Sequence, residues 1–198
     1  SADGERGQLG GISLDPKQLA NLERINIVSC GSAFFASQIG VEIVRSFSQV
    51  PISAFQASEF PASSVCSANT LTIGVSQSGE TKDTLEALKD AKEEGSHISS
   101  FCNVIGSTMS RLAENGAYLH AGPEFSVAST KAVTNMIALF GLLAASLPHQ
   151  GKGNSSFIKE MRKIPSRISK QLLEDDGSIN AAVSIISNAN SAIFIGRG

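Results

Sequence analysis

The side chains best suited to hold an anion lie in segment 76–81, which has the sequence SQSGET. Its serine and threonine hydroxyls and the amide of Gln77 donate hydrogen bonds, and the segment contains no lysine or arginine. It follows the apolar run 71–75 and opens a charged helical stretch. A strand that turns directly into a helix leaves the first N–H groups of that helix without partners, and such groups attract phosphate. An ordinary helix cap, with Ser78 as the capping residue and Thr81 three positions later, accounts for the same pattern.

Apolar runs alternate with helical periodicity and predict the elements that position this segment. The predicted strands are residues 25–29, 52–55, 71–75, 98–103 and 117–120. The predicted helices include residues 16–24, 33–48, 82–94 and an apolar helix that ends near Leu147. This alternation predicts an α/β fold: a doubly wound, five-stranded parallel sheet of order 2-1-3-4-5, flavodoxin-like, with helices on both faces.

A second loop of small residues, Cys30-Gly31-Ser32-Ala33, follows the first predicted strand. In a sheet of order 2-1-3-4-5, the ligand crevice lies where strands 1 and 3 end side by side. Loops 30–33 and 76–81 follow those two strands, so their convergence favours the anion site over the helix cap. Segment 126–131, a third hydroxyl-rich helix start, either forms another wall of the same pocket or caps its own helix.

Other reactive side chains are explained more simply by structure. Cys30 is a candidate nucleophile at a helix start, but a buried cysteine at a strand end is the simpler interpretation. Lys131 is interpreted as a solvated helix residue rather than a phosphate contact. Glu80 and Glu124 are interpreted as first-turn residues that favour the helix dipole.

The sequence lacks an evident residue for proton transfer near the predicted strand ends. It contains no carboxylate pair there, no Ser/His/Asp grouping and no lysine-containing phosphate loop. The histidines His97, His120 and His149 stand apart and form no ligand pattern, so no metal and no cofactor is expected. The sequence therefore predicts a binding pocket rather than a complete catalytic centre.

Composition and charge argue against a protein that binds nucleic acid or a membrane. Sixteen basic and eighteen acidic residues give a net charge of −2 without long blocks, so neither a nucleic-acid partner nor a membrane surface is expected. No window contains eighteen consecutive apolar residues. The three cysteines, Cys30, Cys66 and Cys102, lack CxxC spacing, which indicates a reducing compartment and predicts a cytoplasmic protein.

The chain is predicted to contain more than its α/β domain. Residues 1–20 are expected to be a linker or disordered start, 21–150 the α/β domain, and 151–190 a helical connection in which Pro165 breaks or kinks a helix. The apolar stretch 191–198 ends in Gly-x-Gly and echoes residues 25–31. It is therefore predicted to be the first strand of a second, truncated domain.

Three motifs together resemble one known family. They are SQSGET at 76–81, Cys30-Gly31-Ser32, and AGPE at 121–124 running into VASTKA at 127–132. These motifs resemble the SIS (sugar isomerase) domain, and within it the isomerase half of the aminotransferases that make glucosamine 6-phosphate from fructose 6-phosphate and glutamine. The resemblance covers about residues 20–198. It implies that 21–150 is a first SIS domain and that 191–198 begins a second.

The resemblance also implies roles for individual residues and partners. The implied phosphosugar contacts are Ser32, Ser76, Gln77, Ser78, Thr81, Val127 and Ser129. Segment 76–81 would hold the 6-phosphate, and the other three residues the sugar. In the family, the residues that move protons lie in the second SIS domain, the neighbouring subunit and the C-terminal tail. The resemblance thus implies a homodimer, a glutaminase domain and a second SIS domain in the full-length protein, with little activity for this chain alone.

The loop 30–33 departs from the family pattern CGTS, because Ala33 replaces a serine that contacts phosphate in the family. Loss of one hydroxyl hydrogen bond to a charged group lowers affinity by about ten- to a hundredfold. Ser32 for threonine and Ser126 for glycine are further departures, which leave the substrate open. The alternatives are another double-SIS enzyme, such as a phosphosugar isomerase, deglycase or deaminase, and a non-catalytic phosphosugar sensor.

Overall fold

The structure is a computed structural model that describes residues 11–12, 17–18, 21–113, 115–125, 128–147, 154–174, 177–193 and 195–196. The chain divides into two units, Ser1–Ile158 and Lys159–Gly198. The first unit contains the sheet and the candidate site. Among the described residues, no helix has both the length and the apolar character needed to cross a lipid bilayer.

Five strands form one parallel sheet in the first unit. They are β1 (Arg24–Ser29), β2 (Ile52–Gln56), β3 (Thr70–Ser76), β4 (His97–Cys102) and β5 (Asn115–Tyr118). The strand order is β2-β1-β3-β4-β5, and every neighbouring pair is parallel. The predicted fold class and strand order are confirmed. All residues of β3 are buried, because this strand pairs on both edges and is covered on both faces.

Helices cover both faces of the sheet, as predicted. They are α1 (Gly31–Arg45), α2 (Ala62–Val65), α3 (Lys82–Glu93), α4 (Thr108–Leu112) and α5 (Lys131–Ser146), with a short 3₁₀ turn at Ala57–Glu59. Helices α1 and α5 pack on one face, in a core that includes Phe101 and Phe140. Helices α3 and α4 pack on the other, in a core that includes Leu88 and Met109.

The close approach of α1 and α5 fixes the start of α1 above the sheet. A Cβ atom at Gly40 would lie 2.3 Å from the ring of Phe140, so only glycine allows this packing. The Phe140 ring in turn meets Phe101 of β4 edge-on, with ring centroids 5.4 Å apart. The loop that precedes α1 is therefore held by a well-packed helix pair.

Two helices follow the sheet, α6 (Asn154–Leu173) and α7 (Ser178–Ile186). Of the predicted break or kink at Pro165, the break does not occur, because α6 continues through this residue; the kink stays a prediction. Proline removes one backbone donor, which leaves a carbonyl one turn earlier unpaired. Side chains 162–170 are exposed, so water can hydrate that carbonyl and the helix tolerates the proline.

The chain termini differ in part from the sequence predictions. Of the predicted helix 16–24, Lys17 and Gln18 are helical, and β1 already begins at Arg24. Residues 191–193 and 195–196 form no strand, because no other strand in the described part of the second unit pairs with their backbone groups. Residues 1–10, most of the predicted N-terminal linker, lie outside the described residues. The predicted domain boundaries stay predictions.

Candidate functional site

A cleft of about 230 Å³ opens at the carboxyl ends of β1 and β3, where the strand order reverses. Its lining residues are Cys30, Ser32, Ala33, Val75, Ser76, Gln77, Ser78, Thr81 and Met136. The two predicted loops, 30–33 and 76–81, therefore meet in one cleft. Five of the predicted contacts line it together: Ser32, Ser76, Gln77, Ser78 and Thr81.

Hydroxyl groups cluster at the end of β3. Ser76 is 4% exposed, and its Oγ lies 3.0 Å from Oγ1 of Thr81 and 3.5 Å from Oγ of Ser78. The Oγ of Ser76 also accepts a hydrogen bond from the N–H of Gly79, at 3.1 Å. These bonds hold three hydroxyls within one tight turn, so that they can converge on a single bound group.

Two helices begin at the cleft without side-chain caps. Helix α3, of 12 residues, starts after Thr81, and helix α1, of 15 residues, starts after Cys30; neither of these two residues makes a capping hydrogen bond with its side chain. The alternative that Ser78 caps α3 is wrong, because Ser78 Oγ instead accepts from the N–H of Glu80 at 3.2 Å. The free N–H groups of two helix starts create a partial positive charge at the cleft.

The turn at 79–80 is fixed by the neighbouring segment 107–109. Gly79 has φ +68°, and a Cβ atom there would lie 2.2 Å from Oγ of Ser107. The carbonyl of Gly79 accepts from the N–H of Met109 at 3.0 Å. Segment 76–81 is thus held against the start of α4 and does not depend on a ligand for its shape.

Glu80 binds a different helix from the one predicted. Its Oε1 accepts from the N–H of Thr108 at 2.8 Å, and this hydrogen bond lowers the pKa of the Glu80 carboxyl from its ordinary value of 4.5. Glu80 therefore satisfies the start of α4 rather than that of α3. Its negative charge is directed to a neighbouring helix, which leaves the uncapped start of α3 available to an anion.

Glu124 performs the same task for α5. The N–H of Thr130 donates to its Oε1 at 2.9 Å and the hydroxyl of Ser129 to its Oε2 at 3.0 Å. These bonds, the one from Thr130 N–H foremost, lower the pKa of the Glu124 carboxyl from 4.5. Glu124 thus caps a helix that begins seven residues later, at Lys131, rather than lying in its first turn.

Of the two remaining predicted contacts, only Ser129 belongs to the described residues. Ser129 is bonded to Glu124 and does not line the cleft. Val127, with Ser126, lies outside the described residues. Lys131 is exposed and is likewise absent from the cleft lining, in agreement with its interpretation as a helix residue.

Two residues near the site were missed by the sequence analysis. Met136 of α5 lines the cleft, and a methionine within an apolar helix carries no sequence signal for such a role. Asn103 follows β4 directly, and its side chain binds the backbone of residues 121 and 122. A polar residue immediately after a buried strand is the signal that could have identified Asn103.

The chemistry of the cleft is that of a neutral anion-binding site. The lining side chains among the described residues provide hydroxyls, one amide, one thiol and apolar groups, but no carboxylate, imidazole or cationic group. Elsewhere in the described ranges, no group of three His, Cys, Asp or Glu side chains is arranged to hold a metal ion. Hydroxyls and helix N–H groups can bind a phosphoryl group, whereas acid–base chemistry needs groups that this lining lacks.

Comparison with known proteins agrees with this geometry. Residues 18–146 match the SIS domain family. The chain belongs to the SIS domain family. This SIS domain is 38% identical, over 197 residues, to a glutamine–fructose-6-phosphate aminotransferase (isomerizing) of Caldanaerobacter subterraneus subsp. tengcongensis. It is 37% identical, over 198 residues, to the protein of the same name from Chlorobaculum tepidum.

The SIS chain is shorter than these relatives. The two alignments cover 96% and 98% of this chain but 32% of each relative, so the chain spans about a third of their length. Among solved structures, it resembles the C-terminal domain of glucosamine-fructose-6-phosphate aminotransferase from Francisella tularensis, with a TM-score of 0.86 and 28% identity. That match covers 100% of this chain and 57% of the other.

Proposed function

We propose that this SIS domain binds the phosphate of a hexose 6-phosphate, as part of an enzyme that converts fructose 6-phosphate and glutamine to glucosamine 6-phosphate. The observation that carries the proposal is the cleft at the switch point, where the hydroxyls of Ser76, Ser78 and Thr81 meet two uncapped helix starts. A phosphate dianion matches this arrangement, because its oxygens accept several hydrogen bonds at once.

The described residues that line the cleft include no charged side chain. We therefore propose that binding and proton transfer are carried out by different parts of the enzyme. This domain binds and orients the substrate, and the groups that move protons come from other parts of the full-length protein. The names of the curated relatives, and the third of their length that the chain spans, support this division. We infer that the full-length protein carries a glutaminase domain and a second SIS domain, whose other strands would pair with 191–198 as its first strand.

The proposed assembly follows from the same family membership. We infer that the full-length protein acts as a homodimer in the cytoplasm. The phosphosugar contacts that we propose are Ser32, Ser76, Gln77, Ser78 and Thr81 in the cleft, together with Val127 and Ser129 from the loop that precedes α5.

Isothermal titration calorimetry of the 198-residue chain tests the proposed binding. We expect fructose 6-phosphate to bind and unphosphorylated fructose not to bind, because the phosphate supplies most of the hydrogen-bond acceptors. Inorganic phosphate should compete with fructose 6-phosphate for the same cleft. Equal heats for the phosphorylated and unphosphorylated sugars, from a chain whose melting transition shows that it is folded, would contradict the proposal.

A further inference from the structure

Asn103 lies between the two loops that are expected to hold opposite ends of the substrate. It is the first residue after β4, and β4 lies between β3 and β5 in the sheet. The carboxyl end of β4 is therefore flanked by segment 76–81, which begins at the last residue of β3, and by the residues that follow β5. A residue at this position can contact both loops at once.

The backbone of Asn103 binds the first of these loops. Its N–H donates to the carbonyl of Gln77 at 3.1 Å. This bond joins β4 to segment 76–81 one residue beyond the last register pair, Ser76 with Cys102. Because the bond uses the main chain, any replacement of the Asn103 side chain other than proline leaves it in place.

The side chain of Asn103 binds the second loop. Its Oδ1 accepts from the N–H of Ala121 at 2.9 Å, and its Nδ2 donates to the carbonyl of Gly122 at 2.8 Å. A carboxamide provides a donor and an acceptor side by side, so that one side chain can satisfy the N–H and C=O groups of adjacent residues. Serine and alanine at this position cannot make both bonds.

The loop that Asn103 holds at its beginning is held at its end by Glu124. From Gly122 the chain continues to Glu124, whose carboxylate binds Ser129 and Thr130. The position of Ser129 relative to the phosphate cradle, defined as segment 76–81, is therefore set by two polar side chains. Asn103 is the one of the two that also contacts the cradle.

We propose that Asn103 is a positioning residue that sets the distance between the phosphate cradle and the sugar-binding loop, defined as residues 121–125 and 128–130, and thereby selects a phosphorylated sugar over phosphate alone. This inference rests on the proposed function, because it requires that the sugar-binding loop contacts the sugar. Inorganic phosphate needs the cradle only. A hexose 6-phosphate needs both loops at the correct separation.

The test compares two ligands in calorimetric titrations of the 198-residue chain and its Asn103→Ala variant. We expect the affinity for fructose 6-phosphate to fall about tenfold, because two hydrogen bonds that fix the loop are lost. The affinity for inorganic phosphate should change by less than about twofold, because the bond from the Asn103 N–H to Gln77 remains. The selectivity ratio between the ligands is the readout that a merely structural residue would not move.

A matched control and a milder variant complete the experiment. Asn69→Ala removes an amide that donates to Oε1 of Glu23 at 3.1 Å near the start of β3, at the opposite end of the sheet, and should leave both affinities unchanged. Asn103→Ser keeps a small polar side chain and should show the same loss of selectivity if Asn103→Ala does not fold.

The outcomes separate this inference from the proposed function. Equal losses for both ligands, unchanged selectivity, or failure of both variants to fold would overturn the positioning role. Absence of fructose 6-phosphate binding by the unmodified chain would instead overturn the proposed function.

Discussion

The hydroxyl oxygens of Ser76 and Thr81 lie 3.0 Å apart, although Ser76 ends a strand and Thr81 precedes a helix. Ser76 also bonds to the hydroxyl of Ser78, so the three hydroxyls hold three protons and use two between them, whichever way the bonds run. One O–H group is therefore left to donate to a ligand in the cleft. This relationship makes Thr81 the most informative single position in the cradle.

Thr81→Val should weaken hexose 6-phosphate binding while leaving the fold intact. The change replaces a hydroxyl by a methyl group of similar size, and Thr81 does not cap α3 through its side chain. Loss of a hydrogen bond to a charged ligand corresponds to about 1.5 to 3 kcal/mol, or roughly ten- to a hundredfold in affinity. Calorimetry measures the affinity, and thermal melting measures stability.

Thr134→Val provides the matched control for this prediction. Thr134 is exposed in the first turn of α5, and its hydroxyl donates to the carbonyl of Lys131 at 3.0 Å, away from the cleft. Its replacement should leave binding unchanged. If Thr81→Val bound fructose 6-phosphate as tightly as the control, the hydroxyl pair would have no role in binding.

Ala33→Ser should strengthen binding of the same ligand. Ala33 lines the cleft in the first turn of α1, and a serine there adds a hydroxyl donor beside the uncapped helix start. We expect an increase in affinity of about tenfold, the lower range for one hydrogen bond to a charged group. The control Ala68→Ser introduces the same group at an exposed position between α2 and β3. A ligand that binds both variants equally well does not reach Ala33.

Gly79→Ala should reduce both stability and binding, because it combines two costs. The φ of +68° disfavours any Cβ atom, and here the atom would also collide with Ser107. Gly106→Ala separates these costs, since Gly106 has φ +73° but open space where a Cβ atom would lie. The free energy of unfolding should fall by about 1–2 kcal/mol in Gly106→Ala. Gly79→Ala should lose about 1–3 kcal/mol more.

Chemical denaturation of the two glycine variants measures this difference. The affinity for fructose 6-phosphate provides a second, separate measurement. It should fall in Gly79→Ala, because the collision displaces the cradle, and stay unchanged in Gly106→Ala, because Gly106 lies outside the cleft lining. Equal destabilisation of the two variants would mean that Ser107 moves freely out of the way. In that case the cradle is not held by α4 in the manner that the close approach indicates.

The cap formed by Glu124 predicts a pH dependence of stability. The pKa of this carboxyl is lower in the folded chain than its ordinary 4.5, chiefly because the Thr130 N–H binds the ionised form. The folded chain therefore holds its proton less tightly than the unfolded chain does. The stabilisation is complete above about pH 4.5 and is lost as pH falls through the lower folded value.

Glu124→Gln isolates the contribution of that carboxylate. Melting temperatures of the unmodified chain and the variant should differ most above about pH 4.5 and converge as pH falls below the folded pKa of Glu124, where the carboxyl is protonated in both the folded and the unfolded chain. A difference that stays constant over this range would show that the charge of Glu124 does not contribute to capping.

The sheet and its two site loops could be predicted from sequence because their signals are local. The run 71–75 is apolar except for Thr72, since β3 is buried on both faces, and its position between helical segments requires parallel pairing. The strand order then places loops 30–33 and 76–81 side by side. No tertiary information beyond these rules is needed to bring Ser32 near Thr81.

The partners of the polar side chains could not be predicted, because they depend on how separate loops pack. Glu80 precedes α3 in sequence but binds the start of α4, and Asn103 binds a loop that follows another strand. A carboxylate or amide reaches several N–H groups, and only the folded backbone selects among them. At Pro165 the local rule itself failed. Proline usually ends a helix, but this helix is exposed here, so water can hydrate the carbonyl that the proline leaves unpaired.

The adjacency of β1 and β3 also has a kinetic consequence. These strands are neighbours in the sheet, but β2 and its connections separate them along the chain, so the two halves of the cleft meet only after long-range pairing. Such non-local contacts form slowly during folding. A phosphorylated ligand therefore cannot bind either half of the cleft before β1 and β3 have paired. It should slow the unfolding of the native chain, through binding to the native state alone, and leave the rate of refolding unchanged.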